Sequence, residues 1–167
     1  MTLTYRVASE DGVPLKLKVE INSREHFTVL GFEKHIFVVD SRWFSGSASI
    51  LTYHLDELLG TKVRALYQRK KGRDLFDLWT AFNTVNVRPE PVMQCFLHYM
   101  DQEGHKVSRA EFEQNLSEKL DDPRFVADIG PLVVADSGFY FPRAVDFVLK
   151  RLASLIPGEA WQGKVPT

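Results

Sequence analysis

Between residues 54 and 79 the chain sets lysine, arginine and aspartate at spacings suited to handling phosphate. Lys62 lies inside the helical repeat of Leu55, Leu58, Leu59, Val63 and Leu66, one turn from Leu58 and one turn from Leu66. A helix turns about 100° per residue, so Lys62 falls in the middle of an apolar stripe. An unpaired ammonium is costly to bury. Something must therefore face Lys62: a carboxylate, a water-filled cleft or a phosphate, which lysine meets as a point charge. The plainer alternative is a snorkelling lysine, its stem on apolar surface and its head in water.

Carboxylates follow closely. Asp74 and Asp77 are three residues apart, hence near neighbours on one helix. Asp74 lies at the edge of the apolar stripe and Asp77 further round, towards solvent. As first-turn acids they would be favoured by the helix dipole, which accounts for Asp74 better than for Asp77. Alternatively, one accepts a proton or orients Lys62. A Lys–Asp pair across two adjoining helices would also solve the burial problem of Lys62. Arg64, Arg69, Lys70, Lys71 and Arg73 surround Gly72. They form either a solvated basic loop or a phosphate-binding cluster ahead of a helix N-terminus. Earlier, Glu20 shares the polar side of a strand with Lys16 and Lys18. It is either part of a solvated face or a mid-strand carboxylate for Mg²⁺, which prefers hard oxygen ligands.

These residues must be held by two kinds of element. The first fifty residues read as β. Residues 15–22, LKLKVEIN, alternate strictly, and a strand near 3–7 would pair with them across the Glu10-Asp11-Gly12 turn. Residues 35–40 and 47–53 supply two more strands. Beyond residue 53 the period becomes helical. Helices are expected over 54–69, from Arg73, after Pro91, from Ser108 and from Pro142 to Ile156. Ser108 and Glu111 match a capping box. Residues 122–135 read as irregular, anchored by Phe125, Ile129, Leu132 and Val133. The tail after Gly158 reads as loose.

Composition narrows the function classes. The chain has 167 residues, 44% hydrophobic and 26% charged, with a net charge of −1. That suits one soluble domain or two small ones. It argues against a general polyanion binder, so any nucleic-acid contact must be a local patch. The single cysteine, Cys95, excludes an internal disulfide and a multi-cysteine zinc site. The five histidines are scattered without HxxxH or HxxEH spacing. No signal-peptide core and no long apolar run is present, so the expected setting is cytoplasmic, without membrane insertion.

The run HLDELLGTKVRALYQRKKGRDLFDLW (54–79) closely resembles the signature of the AbiEii/AbiGii nucleotidyltransferase toxins, in which an E-L-L-A-T-K-x-x-A-L helix leads into a K/R-G-R-D-x-x-D-L segment. LKLKVEINSRE (15–25) resembles the strand that precedes it in that family. The similarity covers roughly residues 3–156. It implies an α+β fold: a partial polymerase-β-like sheet of three to four strands over 1–53, a helical domain over 54–158 and a loose tail over 159–167. It implies nucleotide transfer from an NTP to an acceptor such as tRNA, with Mg²⁺. It also implies a cognate antitoxin in a bacterial type IV system linked to phage defence. By motif match, Glu20 takes the third-carboxylate position and would serve as a metal ligand. Lys62 is the helix lysine near the nucleotide phosphates. Asp74 is a base for the acceptor hydroxyl, and Asp77 supports it; the position of the basic cluster, not the motif, makes Arg69, Lys70 and Arg73 the expected phosphate-binding residues. The family's Gly-Ser…Asp-x-Asp motif precedes the Glu20 strand, whereas Gly46-Ser47 follows it without Asp-x-Asp. The expectation is a C-terminal portion whose catalysis needs those aspartates from elsewhere. The alternative is a non-catalytic nucleotide- or RNA-binding or interaction protein, dimerising through an open sheet edge.

Overall fold

The computed structural model describes residues 2–9, 11–20, 27–133 and 138–163, with the Glu20 side chain outside the description. The period-2 segments form two separate antiparallel hairpins. In the first, β1 (Thr2–Ala8) pairs with β2 (Pro14–Glu20), with Leu3 opposite Val19 and Tyr5 opposite Leu17. Gly12 takes φ 74° in the connecting turn, a left-handed conformation that costs glycine little. In the second, β3 (Phe32–Asp40) pairs with β4 (Ser45–Tyr53). Its turn is held by Ser41, whose Oγ accepts from the Phe44 amide at 3.1 Å. The α+β reading holds. The four strands form two two-stranded antiparallel ribbons, in keeping with a partial sheet followed by helices.

The main helices that follow are α1 (Leu55–Gln68), α2 (Arg73–Thr84), α3 (Pro89–Gln102), α4 (Arg109–Leu120), α5 (Pro123–Ala127) and α6 (Phe141–Phe147). The capping box forms as expected, the Ser108 hydroxyl accepting from the Glu111 amide while the Glu111 carboxylate accepts from the Ser108 amide. Helix α3 starts two residues before Pro91. Proline is tolerated in a first turn because those amides lack helical partners anyway. The last helix is not continuous. After α6 the chain widens into a π turn at Val148–Leu152, then tightens into a 3₁₀ turn at Ala153–Leu155.

One core joins the helices. Val63, Leu75, Leu78, Phe96, Phe125, Val148 and Leu152 are fully buried in it. Helix α1 lies so close to α3 that a Cβ on Gly60 would stand 2.7 Å from the Cys95 Cβ and 2.9 Å from the Val92 carbonyl oxygen. At the start of α2, a Cβ on Gly72 would meet the Phe125 carbonyl oxygen at 2.1 Å. Both glycines are therefore required by close approach of backbone. Two of the four anchors expected in the irregular region are core residues, Phe125 and Ile129. Leu132 and Val133 are exposed, because the 3₁₀ turn at Gly130–Leu132 carries them outward. Among the described residues of the tail, the Trp161 amide donates to Glu113 at 2.8 Å.

Candidate phosphate-binding groove

Helix α1 has two working sides. Its core side is Leu59, Gly60, Val63 and Leu66. Leu58, Lys62, Ala65 and Arg69, one turn apart along its flank, line a groove of about 490 Å³ together with Thr61, Arg64 and Gln68. Tyr53 from the end of β4 and Tyr99 from α3 complete the lining. Lys62 thus sits beside the core, not in it, and its side chain is 39% exposed. The leucines that seemed to surround it divide: Leu59 and Leu66 go inward, while Leu55 and Leu58 stay at the surface.

Helix α2 supplies the counter-charges. Lys62 Nζ donates to Asp77 Oδ2 at 2.6 Å and lies 3.7 Å from Asp74 Oδ1. Asp74 is fully buried, and its main partner is Arg69. Arg69 Nε donates to Asp74 Oδ2 at 2.9 Å and Nη2 donates to Oδ1 at 2.7 Å. This bidentate fork is the strong form of the interaction. The hydrogen bonds to Asp74 raise the Arg69 pKa despite partial burial, so the guanidinium is firmly charged. The expected Lys62–Asp74 pair is therefore a four-membered cluster in which Asp77 is the nearer carboxylate. Arg69 occupies both Asp74 oxygens, which leaves Asp77 to take the ammonium.

The rest of the basic run points elsewhere. The Arg73 amide donates to Asp128 Oδ2 at 3.2 Å, and its Nε is 3.5 Å from the same oxygen. Lys71 lies 3.8 Å from Asp128. Arg73 and the exposed Lys70 do not line the groove, so of the three expected phosphate ligands only Arg69 does. Glu20 ends β2 opposite Thr2, and its side chain lies outside the described residues.

Two buried charges that sequence reasoning missed hold the groove in shape. Glu57, fully buried on α1, accepts from the Val29 amide at 2.9 Å, the Leu30 amide at 2.8 Å and the Tyr99 hydroxyl at 2.7 Å. Burial alone would raise its pKa; these hydrogen bonds outweigh that and hold it below the ordinary carboxylate range. Glu57 thereby ties the segment leading into β3 to α1 and α3. Lys119, on α4, is 3% exposed. Its ammonium donates to the carbonyl oxygens of Leu66 and Tyr67, in the last turn of α1. That turn has no basic residue of its own, so Lys119 supplies the cation its orphan carbonyls favour. Burial pushes the Lys119 pKa down to about 8, and nearby Lys70 pushes the same way. The local contexts, E-L-L at Glu57 and K-L at Lys119, gave no sign of either burial.

Among the described residues, no three His, Cys, Asp or Glu side chains converge to hold a metal ion. Asp74 and Asp77 are already engaged by Arg69 and Lys62, so these carboxylates do not fit a magnesium site. No helix among the described residues is long and apolar enough to cross a membrane.

The family model described as the nucleotidyl transferase AbiEii toxin of type IV toxin–antitoxin systems matches residues 1–151. The chain belongs to this family. No curated protein and no solved structure matches it. AbiEii membership implies a nucleotidyltransferase toxin opposed by a cognate antitoxin. In this AbiEii chain the signature lysine, Lys62, and the two aspartates of the R-D-x-x-D segment, Asp74 and Asp77, meet Arg69 in one cluster, which Arg73 does not join.

Proposed function

We propose that the groove along α1 binds the phosphates of an NTP during nucleotide transfer to an RNA acceptor such as tRNA. One observation carries this reading: Lys62, Arg64 and Arg69 line a single open groove, with two tyrosines beside them. Lys62 is part-exposed, so a phosphate entering the groove can compete with Asp77 for it. Arg69 is held by Asp74 and presents fixed positive charge. Asp74 and Asp77 act as positioning residues that hold the two cations. A carboxylate with no exposure and both oxygens occupied is poorly placed to take the acceptor's proton, which favours positioning over the base role for Asp74. Glu20 is proposed as the strand carboxylate of the reaction, on the motif match alone.

The test is incubation of the purified chain with labelled NTPs, Mg²⁺ and total tRNA, alongside direct titration with each NTP. NTP binding should weaken roughly ten- to hundredfold in Lys62→Ala, the usual cost of losing a charged hydrogen-bond partner. Any label transfer should vanish with it. Unchanged NTP binding in a folded Lys62→Ala would overturn the reading. The second reading is a non-catalytic binding protein. It is favoured by the balance of two cations against two carboxylates in the cluster, which is self-sufficient without ligand. NTP binding without transfer under any acceptor condition would establish it.

A further inference from the structure

The groove along α1 differs in chemistry at its two ends. Its cations, Lys62, Arg64 and Arg69, all lie from Lys62 onward. At about 1.5 Å rise per residue, Arg69 stands roughly 10 Å beyond Lys62 along the axis, and Leu58 roughly 6 Å ahead of it. Ahead of Lys62 the lining is Tyr53, Leu58 and Thr61. The Thr61 hydroxyl already donates to the Leu58 carbonyl oxygen at 2.7 Å. At the cationic end, the last carbonyls of α1 would disfavour an anion, but Lys119 donates to two of them, on Leu66 and Tyr67. A ligand with a polyanionic end and a flat, weakly polar end matches this order of residues. A nucleoside triphosphate is such a ligand.

The two tyrosines of the groove are not equivalent. Tyr99 is 1% exposed, and its hydroxyl donates to Glu57 at 2.7 Å. Its ring stacks on Phe27, with centroids 5.1 Å apart, and the Arg64 guanidinium sits 4.7 Å from its centroid. Tyr99 is thus committed to the protein. Tyr53 is half-buried and is braced by Phe32, whose ring is tilted at 46° with its centroid 5.0 Å away. It ends β4 two residues before α1 begins. The next residue fastens that junction: the His54 amide donates to the Gly31 carbonyl oxygen at 3.4 Å, and His54 Nδ1 accepts from the Asp56 amide at 3.2 Å. Tyr53 is therefore an aromatic side chain positioned in advance at the end of the groove that lacks cations. Every base has a π-face, and stacking on an aromatic side chain uses that face alone. We infer that the nucleobase stacks on Tyr53, with the triphosphate running towards Arg69. Tyr53 has this role only if the phosphates sit at Lys62 and Arg69, as proposed above, and its stacking adds the direction of the nucleotide in the groove.

The experiment is calorimetric titration of the full chain with ATP, GTP, CTP, UTP and inorganic triphosphate. Tyr53→Ala should weaken every NTP that wild type binds by about five- to hundredfold, the range for losing one base–aromatic stack. It should leave inorganic triphosphate within about twofold of wild type, as expected for independent sites. Tyr53→Leu, which keeps apolar bulk without a π-face, should show the same loss at an unchanged melting temperature. Tyr53→Trp should restore binding. Lys62→Ala should weaken the NTPs and inorganic triphosphate together. NTP binding at the wild-type level in a folded Tyr53→Ala overturns the assignment, as does a Tyr53→Trp no tighter than Tyr53→Leu. An equal loss of inorganic triphosphate in Tyr53→Ala also overturns it, because Tyr53 would then only shape the groove wall. If Lys62→Ala binds both kinds of ligand as wild type does, the phosphate groove falls and the stacking site falls with it. If Lys62→Ala loses both and the Tyr53 variants lose neither, the groove stands and the stacking site alone is removed.

Discussion

The helices and the hairpins bury their apolar residues very differently. Phe96, Leu75 and Leu78 are wholly inside. In the hairpins, Leu17 is 58% exposed and Ile36 77% exposed. Both regions follow their expected hydrophobic period, yet only the helical one closes a core around it. A two-stranded ribbon has one layer and nothing of its own to pack against. The helices carry their packing with them, down to the glycines that let α1 reach α3. Period alone therefore predicts an element but not its burial. The stability of the described structure resides in the helices; the hairpins are held mainly by their ladders, with the Glu57 clamp at the entry to the second.

That contrast can be tested from its strongest side downward. Phe96→Ala should lower unfolding free energy by about 4 kcal/mol, the usual cost of emptying a buried aromatic site. Denaturant melts would measure it. Glu57→Ala should cost about 3 kcal/mol, since it strands two amides and a hydroxyl at once. Faster hydrogen exchange at the Val29 and Leu30 amides should accompany it. Because the folded Glu57 pKa is lowered, its contribution is complete above the ordinary carboxylate pKa. It is lost as pH falls through the lowered value.

Lys119 gives a signature of the same sign at alkaline pH. Its pKa falls from 10.5 to about 8 on folding, so between those values the unfolded chain binds more protons. Stability from this residue should rise with pH across that window, by on the order of 3 kcal/mol. Lys119→Met should remove that rise, as measured by melts at pH 7.5 and 10.5. Lys62→Ala should cost less than about 1 kcal/mol, because Lys62 and Asp77 are both well exposed. Ile36→Ser should fall within about 0.5 kcal/mol of wild type. A loss at Ile36 comparable to that at Phe96 would show that the hairpins bury a face after all.

Much of this was legible in the sequence. Strict alternation in residues 15–21 predicted a strand, and Ser108 with Glu111 predicted a helix start that forms atom for atom. The signature around Lys62 located the groove-side cluster. What it could not give was partner choice. The same helical spacing suited Lys62 to Asp74 or Asp77, and the decision turned on Arg69 reaching Asp74 first. Lys70 and Arg73, adjacent to Arg69 in sequence, are absent from the groove wall because the Gly72 turn swings α2 against Asp128.

Sequence by itself determined the element types, the family and which residues could carry charge near the α1–α2 turn. These depend on local period and motif, which the chain contains in full. Tertiary structure alone decided that Glu57 and Lys119 are buried, and that Asp77 takes Lys62. It also decided that the hairpins' apolar faces stay open. The reason is the same in each case. Burial and pairing depend on which surfaces of distant segments meet: Glu57 meets amides 28 and 27 residues away, and Lys119 meets carbonyls more than 50 residues away. No local periodicity encodes such encounters.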